Sequence, residues 1–260
     1  MIWIISGTQD GREIGAKLAD REIKKSPEKR QEILMTVVSQ YGKVLAAHKG
    51  IDVEVGRFKQ QDMVRIIKEK HITLVLDASH PYAVNVSQNA MAATEKLGIP
   101  YIRYERDITE FPYEKLHIVH SYEEASEVAA RLGKNVFLTT GSRNLQKFVG
   151  APALKEATIF ARILPTAKVL IDCEAMGLTP RQLIAMQGPF SKELNLAFFK
   201  ESKADVVITK NSGTIGGTDT KLMAAKELGL PVVIIDRPKI AYKNLAHTYE
   251  EVLRFIKVQD

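Results

Sequence analysis

Short apolar runs recur along this chain, and each ends abruptly in small polar residues before a stretch with helical spacing. Leu74-Val75-Leu76-Asp77-Ala78-Ser79-His80-Pro81-Tyr82-Ala83 is the sharpest instance. The apolar residues give way at once to Asp, Ser, His and Pro, and an alanine-rich segment over 85–97 follows. That is the pattern of a buried parallel strand, a polar turn and a covering helix. A chain made of such units folds as α/β with mostly parallel sheets. In open sheets of this kind ligands bind beyond the C-terminal ends of the strands. Asp77, Ser79 and His80 are therefore expected to project into a site, with Pro81 stiffening the turn.

The same reading applies from the first residues. Ile2–Ile5 is a short apolar strand, and Ser6-Gly7-Thr8-Gln9-Asp10-Gly11-Arg12 turns from it into a helix. Gly7 permits a tight turn, and Gly11 and Gly15 allow close packing of helix on strand. Free backbone N–H groups at the helix start suit a phosphate. A glycine-rich turn without nucleotide is the alternative, because the spacing is not a strict GxGxxG. Leu34–Val38 is the second strand, ending in Ser39-Gln40-Tyr41-Gly42-Lys43. An acid at this strand end would grip the ribose hydroxyls of NAD; Ser39 stands there instead, and Lys43 is nearby. That leans towards a 2′-phosphate. Arg103 and Arg106 sit near the C-terminal end of the strand at 101–104, either as ligand contacts or as ion-pair partners.

An irregular aromatic stretch over 107–115 divides an N-terminal nucleotide-binding domain, 1–112, from a C-terminal substrate-binding domain, 113–260. The expectation is two Rossmann-like lobes with a cleft between them. In the second lobe, Asn135–Leu138 runs into Thr139-Thr140-Gly141-Ser142-Arg143, an echo of the first turn that could hold phosphate or carboxylate. Asp205–Thr209 runs into Lys210-Asn211-Ser212-Gly213, a polar loop ahead of a helix that Lys221 begins. A strand, such a loop and a helix start make an anion cradle. It is not a P-loop, since GxxxxGK[ST] is absent.

Composition narrows the partners. The chain of 260 residues is 45% hydrophobic and 26% charged, with a net charge of +6, which favours an anionic ligand. The basic residues are scattered and not interleaved with aromatics, so nucleic acid is not expected. No apolar run approaches the ~20 residues that span a bilayer, so no membrane partner is expected either. One cysteine, Cys173, excludes an internal disulfide, and with no basic leader the expected compartment is a reducing cytoplasm. The histidines and the lone cysteine show no metal-ligand spacing, so no metal is expected.

Several motifs together carry a family likeness: Ser6-Gly7-Thr8 with Gly11-Arg12, Asp77-Ala78-Ser79-His80-Pro81-Tyr82-Ala83, Thr140-Gly141 with Asn144-Leu145, Arg162-Ile163-Leu164-Pro165, Lys210-Asn211-Ser212-Gly213 with Gly217 and Lys221, and Arg237-Pro238. In order and spacing the chain resembles the precorrin-6A and cobalt-precorrin-6A reductases of corrin-ring biosynthesis over nearly its whole length. It departs at Ser6, where the family usually has Gly, at Ser79, where it usually has Thr, and at Gly56-Arg57-Phe58, where a Gly-rich segment is common.

The resemblance implies an enzyme that reduces a macrocycle double bond with NADPH or NADH, hydride going to C19. The implied substrate is an anionic tetrapyrrole, with transient contact to neighbouring pathway enzymes as a further expectation. Gly7, Thr8, Gly11 and Arg12 would hold the pyrophosphate, and Ser39, Tyr41 and Gly42 would line the adenosine ribose. Asp77, Ser79, His80 and Pro81 would lie near the nicotinamide or the substrate, with His80 and Asp77 as catalytic candidates. His80 has a pKa suited to proton donation near neutrality; capping of its own turn is the alternative. Thr140, Gly141, Arg143, Lys210, Asn211, Ser212, Gly213 and Lys221 would grip substrate carboxylates. A non-catalytic nucleotide sensor or tetrapyrrole carrier is the competing reading.

Overall fold

In a computed structural model, residues 1–106, 111–211 and 217–259 are described; the expected substrate residues Ser212 and Gly213 lie outside them. The chain opens with five strands and four helices in alternation: β1 (Ile2–Ser6), α1 (Gln9–Ile23), β2 (Ile33–Val37), α2 (Gln40–Ala46), β3 (Ile51–Val55), α3 (Gln60–Glu69), β4 (Leu74–Ala78), α4 (Val84–Leu97) and β5 (Tyr101–Tyr104). Every residue of β1, β2 and β4 is buried, which is why they read as continuous apolar runs and not as alternating ones. Ile2 and Ile4 join Met35, Leu76 and the α1 residues Ile14 and Leu18 on one face. Trp3 and Ile5 join Leu34, Val75 and the α3 residues Met63, Ile66 and Ile67 on the other. Trp3 also donates from Nε1 to Thr36 Oγ1 on the neighbouring strand, 3.0 Å away, so its one polar atom is satisfied inside the core.

The second run comprises β6 (Leu116–Val119), α5 (Tyr122–Leu132), β7 (Asn135–Leu138), α6 (Leu145–Val149), β8 (Thr158–Ile163), α7 (Ala167–Ala175), β9 (Leu183–Ala185), α8 (Lys192–Glu201), β10 (Val206–Lys210), α9 (Thr218–Glu227) and β11 (Val232–Ile235). These form a six-stranded sheet in the order β6-β11-β10-β7-β8-β9, with every recorded pair parallel. Phe137, Val207, Val232 and Ile234 pack with Phe199 of α8 and Leu222 and Ala225 of α9. The small residues Ala125, Ser126 and Ala129 of α5 are buried where that helix meets β10 and β11.

After β11 the chain adds β12 (Leu245–Ala246) and α10 (Tyr249–Gln259). β12 pairs with β5 and completes the first sheet in the order β12-β5-β4-β1-β2-β3. Val252 and Ile256 of α10 close the core over Ile4 and Leu76. The compact units are thus Met1–Asp107 with Pro238–Asp260, and Ile108–Arg237. The expected C-terminal domain, 113–260, differs from this at its end: residues 238–260 belong with the first unit, because β5 would otherwise be an open edge. The architecture is α/β with two mostly parallel sheets, as the alternation of elements predicts.

Candidate functional site

In the first sheet the chain runs from β1 to β2 and β3 on one side, then to β4 and β5 on the other. The order reverses between β1 and β4, and ligands of open α/β sheets bind at such a switch point. Ser6 pairs with Ala78 at the C-terminal ends of these two strands, so Gly7-Thr8 and Ser79-His80 leave the sheet side by side. Thr8 caps α1: its Oγ1 accepts from the Gly11 N–H at 3.1 Å and donates to Ala78 O at 3.2 Å. That cap ties the helix start directly to the end of β4. Gly11 is confined there, since a Cβ would lie 2.7 Å from Ser6 Oγ and 2.9 Å from Ala78 O. Gly15 is likewise packed against Met35. Gly7 differs from the sequence reading. It is exposed, has no positive φ, and a Cβ would meet nothing closer than 3.5 Å. The turn itself does not require a glycine; its absence of side chain leaves the helix start uncovered.

Asp77 lies inside β4, not in the turn after it, and is fully buried. Its Oδ1 accepts from Arg103 Nη1 at 2.9 Å and from the Ser79 N–H at 3.0 Å, and its Oδ2 from Tyr101 OH at 2.8 Å. Burial alone would favour the neutral acid, but the Arg103 charge and hydrogen bonds from Ser87 and Ser79 outweigh it and hold the carboxyl below its ordinary range. Arg103, also fully buried, reaches Ser79 Oγ at 2.9 Å and Glu105 at 3.2 Å, with its guanidinium 5.5 Å from the Tyr242 ring. Asp77 is therefore an ion-paired anchor of the Ser79-His80 turn. The catalytic expectation for Asp77 does not fit this placement, because a residue with no exposed surface touches no ligand. Arg106 pairs with Asp10 at 2.6 Å. Both arginines at the end of β5 are ion-pair partners.

His80 stands at the switch point, half-buried, and its Nδ1 accepts from the Tyr82 N–H at 3.3 Å. Pro81 is buried behind it. At the end of β2, Ser39 caps α2 through the Gly42 N–H at 3.0 Å, and Tyr41 is exposed. No acid follows β2 before α2, in keeping with the sequence. Arg12 lies in the first turn of α1, half-buried. Phe58 covers Gly56, where a Cβ would fall on its ring.

The second sheet reverses between β7 and β10, and the loops after these strands carry the expected substrate residues. Thr140 Oγ1 is buried without a hydrogen-bond partner among the described residues. Gly141 has φ +76, a left-handed conformation that favours glycine. Lys210 ends β10, 5.5 Å from the Tyr122 ring. Burial and then the charge of Arg143 push its pKa down to about 8. Asn211 is buried, and its carbonyl accepts from Arg237 Nε at 2.8 Å. Lys221 sits in the first turn of α9, 6% exposed. Burial, and then the charge of Arg162, bring its pKa down to about 7 against the opposing pull of Asp219.

Two residues absent from the sequence-level site complete this cluster. Arg162 on β8 is buried, donates from Nη1 to Asn195 Oδ1 at 2.7 Å, and stacks 4.1 Å from the Phe190 ring. Burial lowers its pKa to about 10. Arg237 is the other. Both stood in motifs that the sequence singles out, but an arginine within an apolar strand gives no sign of what it faces. Cationic side chains with few carboxylates around them form a natural seat for a polyanion. No group of His, Cys, Asp and Glu able to hold a metal occurs among the described residues, and Cys173 is a buried free thiol. No helix among them is long and apolar enough to cross a membrane.

Comparison with known proteins decides the family. The model of the precorrin-6x reductases CbiJ/CobK matches residues 1–257. The chain belongs to this family. The cobalt-precorrin-6A reductase of Priestia megaterium is 39% identical over 254 residues, covering 97% of this chain and 96% of that protein. The enzyme of the same name from Salmonella typhimurium is 36% identical, covering 91% and 87%. Among solved structures, the CobK precorrin-6A reductase superposes with a TM-score of 0.76 at 23% identity, over 99% of this chain and 96% of that one. As a member of the precorrin-6x reductase family, the chain is a reductase of cobalamin biosynthesis.

Proposed function

We propose that this precorrin-6x reductase reduces a ring double bond of cobalt-precorrin-6A with NADPH. The observation that carries the reading is the complementary chemistry of the two switch points. The first has a glycine-walled helix start pressed against β1 and β4, and no acid after β2. The second gathers Arg143, Lys210, Lys221, Arg162 and Arg237. Two relatives named cobalt-precorrin-6A reductase reach 39% and 36% identity, against 31% for the precorrin-6A reductase of Rhodococcus erythropolis; this supports the cobalt-bearing ring.

The residues present fit a dinucleotide. Gly7 leaves the α1 start open, Gly11 lets that start sit against the strand ends, and Thr8 and Arg12 line it. Ser39, Tyr41 and Gly42 would face the adenosine ribose, and Lys43 a 2′-phosphate. When bound, the reduced nicotinamide supplies a hydride, in this reading to C19 of the ring. The protein's own task is positioning and charge neutralisation. Thr140, Arg143, Lys210 and Lys221 would neutralise ring carboxylates, while Asp77 and Arg103 fix the Ser79-His80 turn.

Anaerobic nicotinamide oxidation tests the reading, with precorrin-6A and cobalt-precorrin-6A each paired with NADPH and NADH. Turnover is expected, fastest with the cobalt ring and NADPH. Binding of ring or nucleotide without turnover by any of the pairs would favour a carrier or sensor instead.

In this reading His80 holds its own turn through Nδ1, which accepts from the Tyr82 N–H, and is not the proton donor. His80→Ala is expected to lower kcat by less than about tenfold, below the ~10²–10⁴ contributed by a general acid. His80→Asn, whose side-chain carbonyl can replace the Nδ1 acceptor, is expected to recover most of that. A hundredfold loss in both variants would make His80 the acid.

A further inference from the structure

Lys221 and Arg162 are two buried basic side chains in one another's field, and neither makes an ion pair among the described residues. Arg162 spends its Nη1 on a neutral amide, Asn195 Oδ1. Asn195 is itself fixed by donating to Ser191 O at 2.8 Å and Phe190 O at 3.4 Å. The Lys221 ammonium makes no hydrogen bond or ion pair among the described residues; only its backbone N–H is bonded, to Gly217 O at 3.4 Å. Asp219, two residues earlier on the same helix, acts on it through space only. Burying an ammonium or guanidinium without a paired counter-charge is costly, and this fold buries two basic side chains together with only Asp219 acting on Lys221 from a distance. Folding alone gives no reason to do so; a bound anion does.

The backbone points to the same place. α9 runs for ten residues from Thr218, and its N-cap is Gly217 at φ +67, which has no side chain of its own to cap the helix start. The leading N–H groups of a helix have no partner inside it and attract an anion. A Cβ at Gly217 would lie 3.9 Å from Lys221 Cε and 3.5 Å from Thr220 Oγ1. The lysine therefore runs back along the first turn, towards the helix start and not away from it. Thr220 Oγ1 donates to Phe190 O at 3.0 Å. That bond holds the Phe190 segment against this turn, and Phe190 is the ring on which Arg162 stacks.

We propose that the N-terminus of α9, together with Lys221 and Arg162, is a carboxylate subsite that seats one acidic side arm of the ring substrate. The identity of the substrate rests on the reductase reading above; the anion subsite stands on the geometry just given. The subsite discriminates among rings by the acid arm at this one position. Removal of that charge from the arm leaves the two buried cations without compensation.

The test uses the full chain and the variants Lys221→Met and Arg162→Met. Methionine keeps most of the aliphatic volume of each side chain, and circular dichroism with thermal melting verifies that each variant is folded. Affinity for cobalt-precorrin-6A is read from the ring's absorbance, affinity for NADPH from its fluorescence, and protection by inorganic phosphate from the melting temperature. The expected result is a rise of tenfold or more in the ring's Kd in Lys221→Met, with the Kd for NADPH unchanged. Phosphate protection seen in the native chain is expected to vanish in both variants.

An unchanged ring Kd in folded Lys221→Met, with turnover intact, overturns the subsite and leaves the reductase reading standing. A rise confined to NADPH overturns it in favour of a cofactor phosphate. Should the native chain fail to reduce or bind either ring, the reductase reading falls. The subsite is then decided by phosphate protection alone: loss in the variants upholds it, and equal protection removes it. If one methionine variant does not fold, Arg162→Lys, which keeps the charge and loses the forked geometry, gives the same reading through a smaller rise in Kd.

Discussion

Arg103→Met is expected to lower folding stability by about 3–5 kcal/mol, the range for breaking a buried ion pair from one side. The substitution leaves Asp77 fully buried with its cation gone. Tyr101 OH and the Ser79 N–H remain as donors, but neither carries charge. Glu105 loses its partner as well. The double variant Asp77→Leu with Arg103→Met removes both charges and is expected to recover much of the loss. In the native chain the sign of the pH dependence follows from the lowered pKa of Asp77. Its contribution is fully present above the ordinary carboxylate value and is lost as pH falls through the lower, folded-state one. Urea denaturation at neutral pH measures the difference; a loss under about 1 kcal/mol would mean that water reaches the site and screens the pair. Because Arg103 also holds Ser79, folded survivors of the variant should show a lower kcat than native.

Gly11→Ala is the second large effect. The added methyl group would stand 2.9 Å from a backbone oxygen, Ala78 O, and 3.1 Å from Ala78 Cβ. A strand in the middle of a sheet cannot retreat, so the start of α1 must lift. Overpacking of this kind costs about 1–3 kcal/mol. If the cofactor's phosphates rest on that helix start, its displacement raises the Kd for NADPH by about tenfold or more, equivalent to about 1.4 kcal/mol. Fluorescence titration of the folded variant reads this directly. An unchanged Kd would move the phosphates elsewhere. Gly7→Ala is the control for stability, since the methyl group there meets nothing closer than 3.5 Å.

The repeated unit of strand, polar turn and helix was legible because parallel strands covered on both faces are apolar throughout, and the turn residues at 7–8, 79–81 and 140–141 interrupt them sharply. Both switch points follow from where those turns fall. The role of Asp77 was less legible: a carboxylate at a strand end reads as exposed until its partner is known, and Arg103 is 26 residues away. The Arg162–Asn195 contact spans 33 residues and leaves no local periodic trace. The return of the chain to its first sheet was invisible for another reason. β12 has two residues, too few for any alternation to register, and only its pairing with β5 identifies it.

That return has a consequence for synthesis. The first unit is interrupted after β5 and finished only by residues made after the inserted unit. While the ribosome is producing 108–237, the edge of β5 is without β12, and the face bearing Ile4 and Leu76 is without Val252 and Ile256 of α10. The inserted unit, in contrast, is continuous in the chain and has all its strands as soon as β11 emerges. Contrary to the usual order of multidomain chains, the part that begins first is completed last, and a nascent chain stalled short of α10 would present an open sheet edge and an uncovered core face to the cell's chaperones.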